Sequence, residues 1–135
     1  MTCRGEDDSM ADRVLLVDDD RGFLEALVKR LSRRGLQVTG TSSPEEALRS
    51  VSSEKFDAVI LDLKMPGMDG IEVLRQMKLK QPELPVILYT GFGSVESSIT
   101  AMRYGAMDFI EKPADINVLM DKIRKARGRK ILKTD

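Results

Sequence analysis

The sequence contains no histidine and a single cysteine, and each scarcity excludes a class of chemistry. Without histidine, the 135-residue chain cannot carry phosphohistidine or use an imidazole as acid, base or metal ligand. One cysteine excludes an internal disulfide and suits a reducing compartment, and Cys3 stands in a polar segment where an incidental thiol is expected. No soft ligand set for zinc or copper remains.

Net charge and long apolar runs are missing as well. The 22 basic and 22 acidic residues cancel, so no overall field attracts nucleic acid or a membrane surface. No apolar run approaches the roughly 20 residues that a membrane span needs, and the amino terminus lacks the apolar core of a signal peptide. We therefore expect a cytoplasmic protein that binds neither nucleic acid nor membrane directly.

The chain divides into one folded unit and two polar ends. Residues 1–11 have the composition of a disordered tail. Residues 12–126 alternate between strand and helix patterns five times, and their length suffices for one domain with a real core. Residues 127–135 are basic and are predicted to be a tail or the start of a linker.

The strand patterns predict the order of a sheet. Three runs are continuously apolar, as strands buried on both faces are: Val14–Val17, Ala58–Leu61 and Val86–Tyr89. Leu36–Gly40 and Met107–Ile110 alternate more, as edge strands do. With right-handed crossovers, the prediction is an α/β fold with a doubly wound, five-stranded parallel sheet in the order 2-1-3-4-5.

Capping signals and apolar spacing predict the helices between these strands. Asp20 is placed to cap the first helix and Gly35 to end it. Ser43-Pro44-Glu45-Glu46 is predicted to be a capping box with proline at the first helical position, and its helix should end near Ser53. Gly70 opens the third helix. Apolar residues at helical spacing mark the last two: Val95, Ile99 and Met102, then Ile116, Leu119, Ile123 and Ala126.

Polar residues follow the carboxyl ends of four predicted strands: Asp18, Asp19, Asp62, Thr90 and Lys112. In such a sheet the ligand crevice lies beyond the ends of strands one and three, where the winding reverses. Three carboxylates, a hydroxyl and an ammonium group in that crevice suit a divalent cation and a phosphoryl group, with an aspartate as acceptor. A solvated turn is the alternative, and we accept it for Asp20 as a helix cap.

Asp18 and Asp19 are interpreted as ligands of a metal site. Mg²⁺ fits best, because it takes one or two carboxylates together with waters and phosphate oxygens, and Mn²⁺ is an acceptable substitute. Asp62 lies across the crevice and would share the cation. The backbone carbonyl of Lys64, in the loop after Asp62, is placed to complete the metal shell.

Asp62 is interpreted as the phosphoryl acceptor. A carboxylate attacks phosphorus to form an acyl phosphate and, being ionised at neutral pH, needs no base. Thr90 could donate its hydroxyl to a phosphoryl oxygen, for which Gly91 leaves room. Lys112 would pair with the carboxylate and then with the phosphoryl group. The bond from Lys112 to Pro113 is a candidate for the cis isomer.

Four segments, taken together, are highly specific for one protein family: VLLVDDD, LDLKMPGMDG, ILYTG and DFIEKP. In this order and at these separations they resemble the receiver domains of bacterial two-component response regulators over roughly residues 12–126. The resemblance implies a flavodoxin-like (βα)5 sandwich with Asp62 as phospho-acceptor. It also implies magnesium bound by Asp18, Asp19 and the Lys64 carbonyl, and phosphoryl contacts from Thr90 and Lys112.

The resemblance further implies how the chain is used. The phosphoryl donor would be a sensor histidine kinase or a phosphotransfer protein. The chain would not be an enzyme in its own right, but an acceptor with self-catalysed phosphorylation and autodephosphorylation. Phosphorylation would shift the surface of the fourth helix, fifth strand and fifth helix between two states, and a homodimer through that surface is plausible. Phe109 takes the aromatic switch position, although its local pattern favours an ordinary core residue.

Two departures and several alternatives stand beside this interpretation. Ala114 replaces the phenylalanine that often follows the Lys-Pro pair, and Phe109 replaces a common tyrosine.

Asp18-x-Asp20 also resembles the nucleophile motif of haloacid-dehalogenase-type phosphatases, but Gly22 and the lack of a cap domain oppose that assignment. A binding module that works without phosphorylation is a further alternative. The output is open between a single-domain regulator and the receiver of a longer regulator, with control of transcription as one candidate output.

Overall fold

Five strands alternate with five helices along the chain in a computed structural model that describes residues 12–63, 69–91 and 95–134. The strands are β1 (Arg13–Val17), β2 (Gln37–Thr41), β3 (Ala58–Leu61), β4 (Val86–Thr90) and β5 (Asp108–Glu111). The helices are α1 (Arg21–Arg33), α2 (Pro44–Ser53), α3 (Gly70–Lys80), α4 (Val95–Arg103) and α5 (Ile116–Thr134). The predicted tail, residues 1–11, and the Lys64 carbonyl lie outside the described residues.

The sheet is parallel throughout and has the order β2-β1-β3-β4-β5. The predicted fold class and strand order are therefore confirmed. Val17 of β1 pairs with Leu61 of β3, so the residues that follow them, Asp18 and Asp62, leave the sheet side by side. This register is what brings two distant carboxylates to one crevice.

The three central strands are buried on both faces because each face is covered by helices. Leu15 and Val17 pack with residues of α2, α3 and α4, whereas Val14 and Leu16 pack with residues of α1 and α5. Every residue of β3 and β4 is buried. The continuous apolar runs were therefore a correct signal for two-sided burial.

The predicted helix ends are largely confirmed, with one change in their hydrogen bonding. Asp20 caps α1 by accepting a hydrogen bond from the Phe23 amide at 3.1 Å. Ser43 caps α2 by accepting from the Glu46 amide at 3.2 Å. A full capping box would also have a hydrogen bond from the Ser43 amide to the Glu46 carboxylate. Here that carboxylate instead accepts a hydrogen bond from the Thr41 hydroxyl at 2.6 Å. The Ser43 amide donates to that same hydroxyl at 3.1 Å.

One expectation about burial near β5 was wrong. Phe109, expected in the core, is 40% exposed, because an edge strand leaves one flank of its side chains without a neighbouring strand. Ile99 and Met102 mark α4 as predicted, and they are 53% and 41% exposed, whereas Ala101 of α4 is buried. Ile99 and Met102 therefore leave apolar groups of α4 open to solvent.

Helix α5 is longer than its apolar pattern indicated. All four residues of its predicted apolar face are buried: Ile116, Leu119, Ile123 and Ala126. The helix continues to Thr134, so residues 127–134 extend it. Within the described ranges, no helix combines the length and the apolar character of a membrane span.

We predict that Gly70→Ala is strongly destabilising. A Cβ atom at Gly70 would lie 2.5 Å from both the Cα and the carbonyl oxygen of Leu63, which are backbone atoms that cannot turn aside. The expected loss in the free energy of unfolding is about 1–3 kcal/mol, measured by urea denaturation. Gly128→Ala is the control, because that helical position has open space around it and alanine favours helix by roughly 1 kcal/mol. Equal stabilities for the two variants would contradict the close approach.

Candidate functional site

Three carboxylates meet at the carboxyl ends of β1 and β3. Asp18, Asp19 and Asp62 each offer an oxygen atom within 4.8 Å of the others. Asp18 and Asp62 are 6% and 7% exposed, whereas Asp19 is open to solvent. Two of the three charges are therefore largely withdrawn from water, which is costly unless a cation lies close by.

Backbone hydrogen bonds at the strand ends hold these carboxylates in place. The Asp18 amide donates to the Thr41 carbonyl at 3.2 Å, and the Asp62 amide donates to the Val17 carbonyl at 3.0 Å. The Asp18 carboxylate accepts from the Asp20 amide at 3.0 Å through Oδ1. Its other oxygen, Oδ2, accepts a hydrogen bond from Lys112.

Lys112 supplies the positive charge. Its Nζ lies 2.6 Å from Asp18 Oδ2 and 3.4 Å from Asp62 Oδ2. Its own amide donates to the Thr90 carbonyl at 2.8 Å, which continues the ladder between β4 and β5. The Lys112–Pro113 bond is cis, as the sequence suggested. The expected pairing with Asp62 is present, but the shorter contact is with Asp18.

The environment of Lys112 keeps it charged. Burial alone would lower the pKa of its ammonium group, but the hydrogen bond to Asp18 and the nearby charge of Asp62 outweigh that effect. The net result is that the pKa of Lys112 is raised above its ordinary value. The ammonium group is therefore a fixed positive charge across the physiological pH range.

Thr90 and Gly91 lie at the end of the neighbouring strand. Thr90 is 2% exposed and ends β4, which is hydrogen-bonded to β3 and β5. Among the described residues, a Cβ atom at Gly91 would meet no atom within 4 Å. The contribution of the Thr90 hydroxyl and of Gly91 to the acidic pocket stays a prediction.

The donor set fits a hard divalent cation. Carboxylate oxygens are the ligands that magnesium prefers, and two or three of them leave octahedral positions for water or phosphate oxygens. No histidine is present in the chain, so the described side chains at this site offer only oxygen ligands. Asp18, Asp19 and Asp62 would hold such a cation, and its charge would offset the repulsion among them.

Sequence reasoning missed two aromatic residues at this site. The Lys112 Nζ lies 4.5 Å from the centre of the Phe23 ring and 5.6 Å from the centre of the Tyr89 ring. By apolar spacing alone, Phe23 belongs to one face of a helix and Tyr89 to a buried strand. Their positions held a usable signal, because Phe23 lies in the first turn after the acidic residues and Tyr89 immediately precedes Thr90.

Comparison with known proteins adds an independent finding. The family model described as "Response regulator receiver domain" matches residues 14–124. Response regulator protein FleR of Pseudomonas aeruginosa is 42% identical over 121 residues, which are 89% of this chain and 26% of that protein. The C4-dicarboxylate transport transcriptional regulatory protein DctD of Rhizobium meliloti is 38% identical over 124 residues, which are 92% of this chain and 27% of that protein.

Solved structures are similar over the same region. A CheY-like response regulator receiver domain protein from Methanospirillum hungatei has a TM-score of 0.86 at 29% identity, covering 91% of this chain and 98% of that one. NtrX from Brucella abortus has a TM-score of 0.86 at 32% identity, covering 93% of this chain and 28% of that one. The chain thus spans about a quarter of the length of FleR, DctD and NtrX.

We predict that Asp19→Ala weakens magnesium binding at least roughly tenfold, because one of three clustered carboxylates is lost. Calorimetric titration with magnesium chloride measures the change. Asp20→Ser is the matched control, since serine retains the cap of α1 while removing an adjacent charge. An Asp19→Ala titration indistinguishable from that of the unmodified protein would remove Asp19 from the metal site.

Proposed function

The chain belongs to the response regulator receiver domain family, and from this we propose that it accepts a phosphoryl group on Asp62 in a magnesium-dependent reaction. The observation that carries the proposal is the position of Asp62, which lies close to two further carboxylates and to the Lys112 ammonium group. The donor would be a histidine kinase or a phosphotransfer protein. The family membership supports a partner of this class.

The proposed transfer begins with attack on phosphorus by a carboxylate oxygen of Asp62. A new O–P bond forms and the N–P bond of the donor phosphohistidine breaks, with its electron pair returning to the imidazole. Asp62 needs no general base, because a carboxylate is already an anion at neutral pH. A bound magnesium ion would supply charge to offset the anionic oxygens as donor and acceptor approach.

Lys112 and Thr90 would stabilise the phosphoryl group after transfer. The Lys112 Nζ, 3.4 Å from Asp62 Oδ2, is close enough to pair with a phosphoryl oxygen bonded to that carboxylate. Thr90 would donate its hydroxyl from the adjacent strand end, with the open space at Gly91 admitting the oxygen. Attack of water on the same phosphorus would return free phosphate and Asp62, which is the proposed autodephosphorylation.

An apolar surface near β5 is the proposed output region. We assign to it four apolar residues of α4, β5 and α5 that are between 40% and 53% exposed, and we call this the α4–β5–α5 face: Ile99, Met102, Phe109 and Val118. Asp108 and Lys122 form an ion pair at 2.5 Å beside Phe109. Exposed apolar groups of this size are typical of surfaces that bind a protein partner.

We further propose a link from the acidic pocket to the α4–β5–α5 face. Thr90 pairs with Glu111 in the β4–β5 register, and Leu88 pairs with Phe109. Movement of Thr90 toward a phosphoryl group would vacate volume near Phe109, into which the exposed ring could turn. Phosphorylation would then shift the protein from molecules with the Phe109 ring turned outward to molecules with the ring turned inward. The shape of the α4–β5–α5 face would change accordingly.

The downstream activity is proposed to be control of transcription. DctD is a transcriptional regulatory protein, and this chain corresponds to about a quarter of its length. An output domain joined beyond α5, or one on a separate docked protein, would carry the regulatory activity. Either arrangement would use the α4–β5–α5 face for homodimerisation or for contact with the output domain.

We predict that Asp62→Asn takes up no phosphoryl group from acetyl phosphate and magnesium, whereas the unmodified protein gains one. The amide lacks the anionic oxygen that attacks phosphorus. Intact-mass spectrometry with and without EDTA measures uptake. Asp69→Asn is the matched control, because Asp69 only caps α3 and asparagine caps equally well. Uptake by Asp62→Asn at the unmodified rate would move the acceptor to another residue.

We predict that Ile99→Asp leaves phosphoryl uptake intact and weakens phosphorylation-dependent self-association about tenfold or more, because it places a charge within the α4–β5–α5 face. Sedimentation velocity with and without acetyl phosphate measures the self-association of the phosphorylated and the unphosphorylated protein. Leu79→Asp is the control, since Leu79 is 68% exposed on α3, outside that face. If the unmodified protein self-associates on phosphorylation, equal weakening by both variants would argue against the proposed face.

A further inference from the structure

We propose that Phe23 and Tyr89 form an aromatic seat that positions the Lys112 ammonium group for the phosphoryl group on Asp62. Both would be positioning residues, since neither reaches the reacting atoms. The inference rests on the proposed phosphoryl transfer and adds to it a specific role for two side chains that the acceptor chemistry does not itself require.

The geometry of the seat is that of a desolvated cation between two ring faces. The Nζ atom lies 4.5 Å from the Phe23 centroid and 5.6 Å from the Tyr89 centroid, both within the range of cation–π attraction. The two rings are 5.8 Å apart and tilted by 50°. The Lys112 side chain is only 21% exposed, so water screens these contacts weakly.

Both rings are held by the backbone around them. Phe23 lies in the first turn of α1, where its amide donates to the Asp20 cap. Tyr89 is 4% exposed, and its hydroxyl accepts a hydrogen bond from the Ala114 amide at 3.1 Å. That contact fixes the turn immediately after Lys112. The seat is therefore anchored on two elements, and the phenol also fixes the segment that carries the lysine.

The carboxylates would hold Lys112 less tightly once a metal ion is bound beside it. Its shorter contact is with Asp18, at 2.6 Å, whereas Asp62, the proposed acceptor, is at 3.4 Å. Asp18 is also a proposed metal ligand, and a carboxylate that shares its charge with a cation attracts an ammonium group less. Ring faces have no formal charge to be neutralised, so their attraction for the ammonium group persists with or without a bound metal ion. We infer that the rings keep Nζ beside Asp62 when its pairing with Asp18 weakens.

Two substitutions at one position separate ring chemistry from packing. Phe23→Leu retains an apolar side chain but removes the π face, and Phe23→Tyr retains the ring. Phe23 is half-buried, so both variants should fold, and thermal unfolding checks this. With acetyl phosphate and magnesium, we expect Phe23→Leu to lower the maximal rate of uptake about fivefold to tenfold. The KM for the donor should change less, and Phe23→Tyr should be close to the unmodified protein.

A spectroscopic measurement tests the seat without any phosphoryl transfer. Ring currents should shift the Lys112 side-chain methylene protons upfield in carbon-edited NMR spectra. We expect this shift in metal-free protein and in magnesium-saturated protein, and we expect it to diminish in Phe23→Leu but not in Phe23→Tyr. Loss of the shift on adding magnesium would overturn the inference, because the seat would then not hold the lysine in the active state.

The outcomes distinguish this inference from the proposed function. If the unmodified protein takes up no phosphoryl group, the proposed function fails, while the NMR shifts still test the seat. If it takes up phosphoryl normally and Phe23→Leu does so at the same maximal rate, the seat has no positioning role. Equal slowing in Phe23→Leu and Phe23→Tyr would likewise overturn it, because the defect would then not depend on the ring.

Discussion

The contact between Lys112 and the clustered carboxylates is the interaction on which the rest of the site depends. Three acidic side chains within 4.8 Å of one another repel strongly when two are buried. A single ammonium group, 2.6 Å from one carboxylate and 3.4 Å from a second, offsets part of that repulsion. The remaining negative charge would attract a divalent cation. One ammonium group thus offsets only part of the charge of the three carboxylates.

This contact exists because of the order of the sheet. Asp18 and Asp62 follow paired residues on adjacent central strands, and Lys112 follows the edge strand β5, which is two strands along from β3 and next to β4. The lysine side chain reaches back to both carboxylates, and the hydrogen bond from the Lys112 backbone amide to the Thr90 carbonyl fixes where that side chain starts. Burial of β1, β3 and β4 on both faces fixes the strand ends relative to one another. Under the proposed function, the register between β4 and β5 would connect the acidic pocket to the α4–β5–α5 face.

The sequence was sufficient for the features that depend on pattern and topology. Continuous apolar runs distinguished central from edge strands, and the strand order then brought Asp18 and Asp62 together. It was insufficient where a side chain had more than one plausible environment. Phe109 has the apolar character of a core residue, and only the edge position of β5 leaves it exposed. The rings of Phe23 and Tyr89 belong to ordinary apolar patterns, and their proximity to Lys112 depends on side-chain directions that periodicity does not specify.

The most direct test of the central claim is to identify the residue that carries the phosphoryl group. Borohydride reduces an aspartyl phosphate to homoserine, and peptide mass spectrometry then locates the altered position. After treatment with acetyl phosphate and magnesium, we expect homoserine at position 62 and at no other aspartate. Homoserine at Asp18 or Asp19, or an unaltered Asp62 in protein that has gained phosphoryl mass, would contradict the assignment of acceptor and metal ligands.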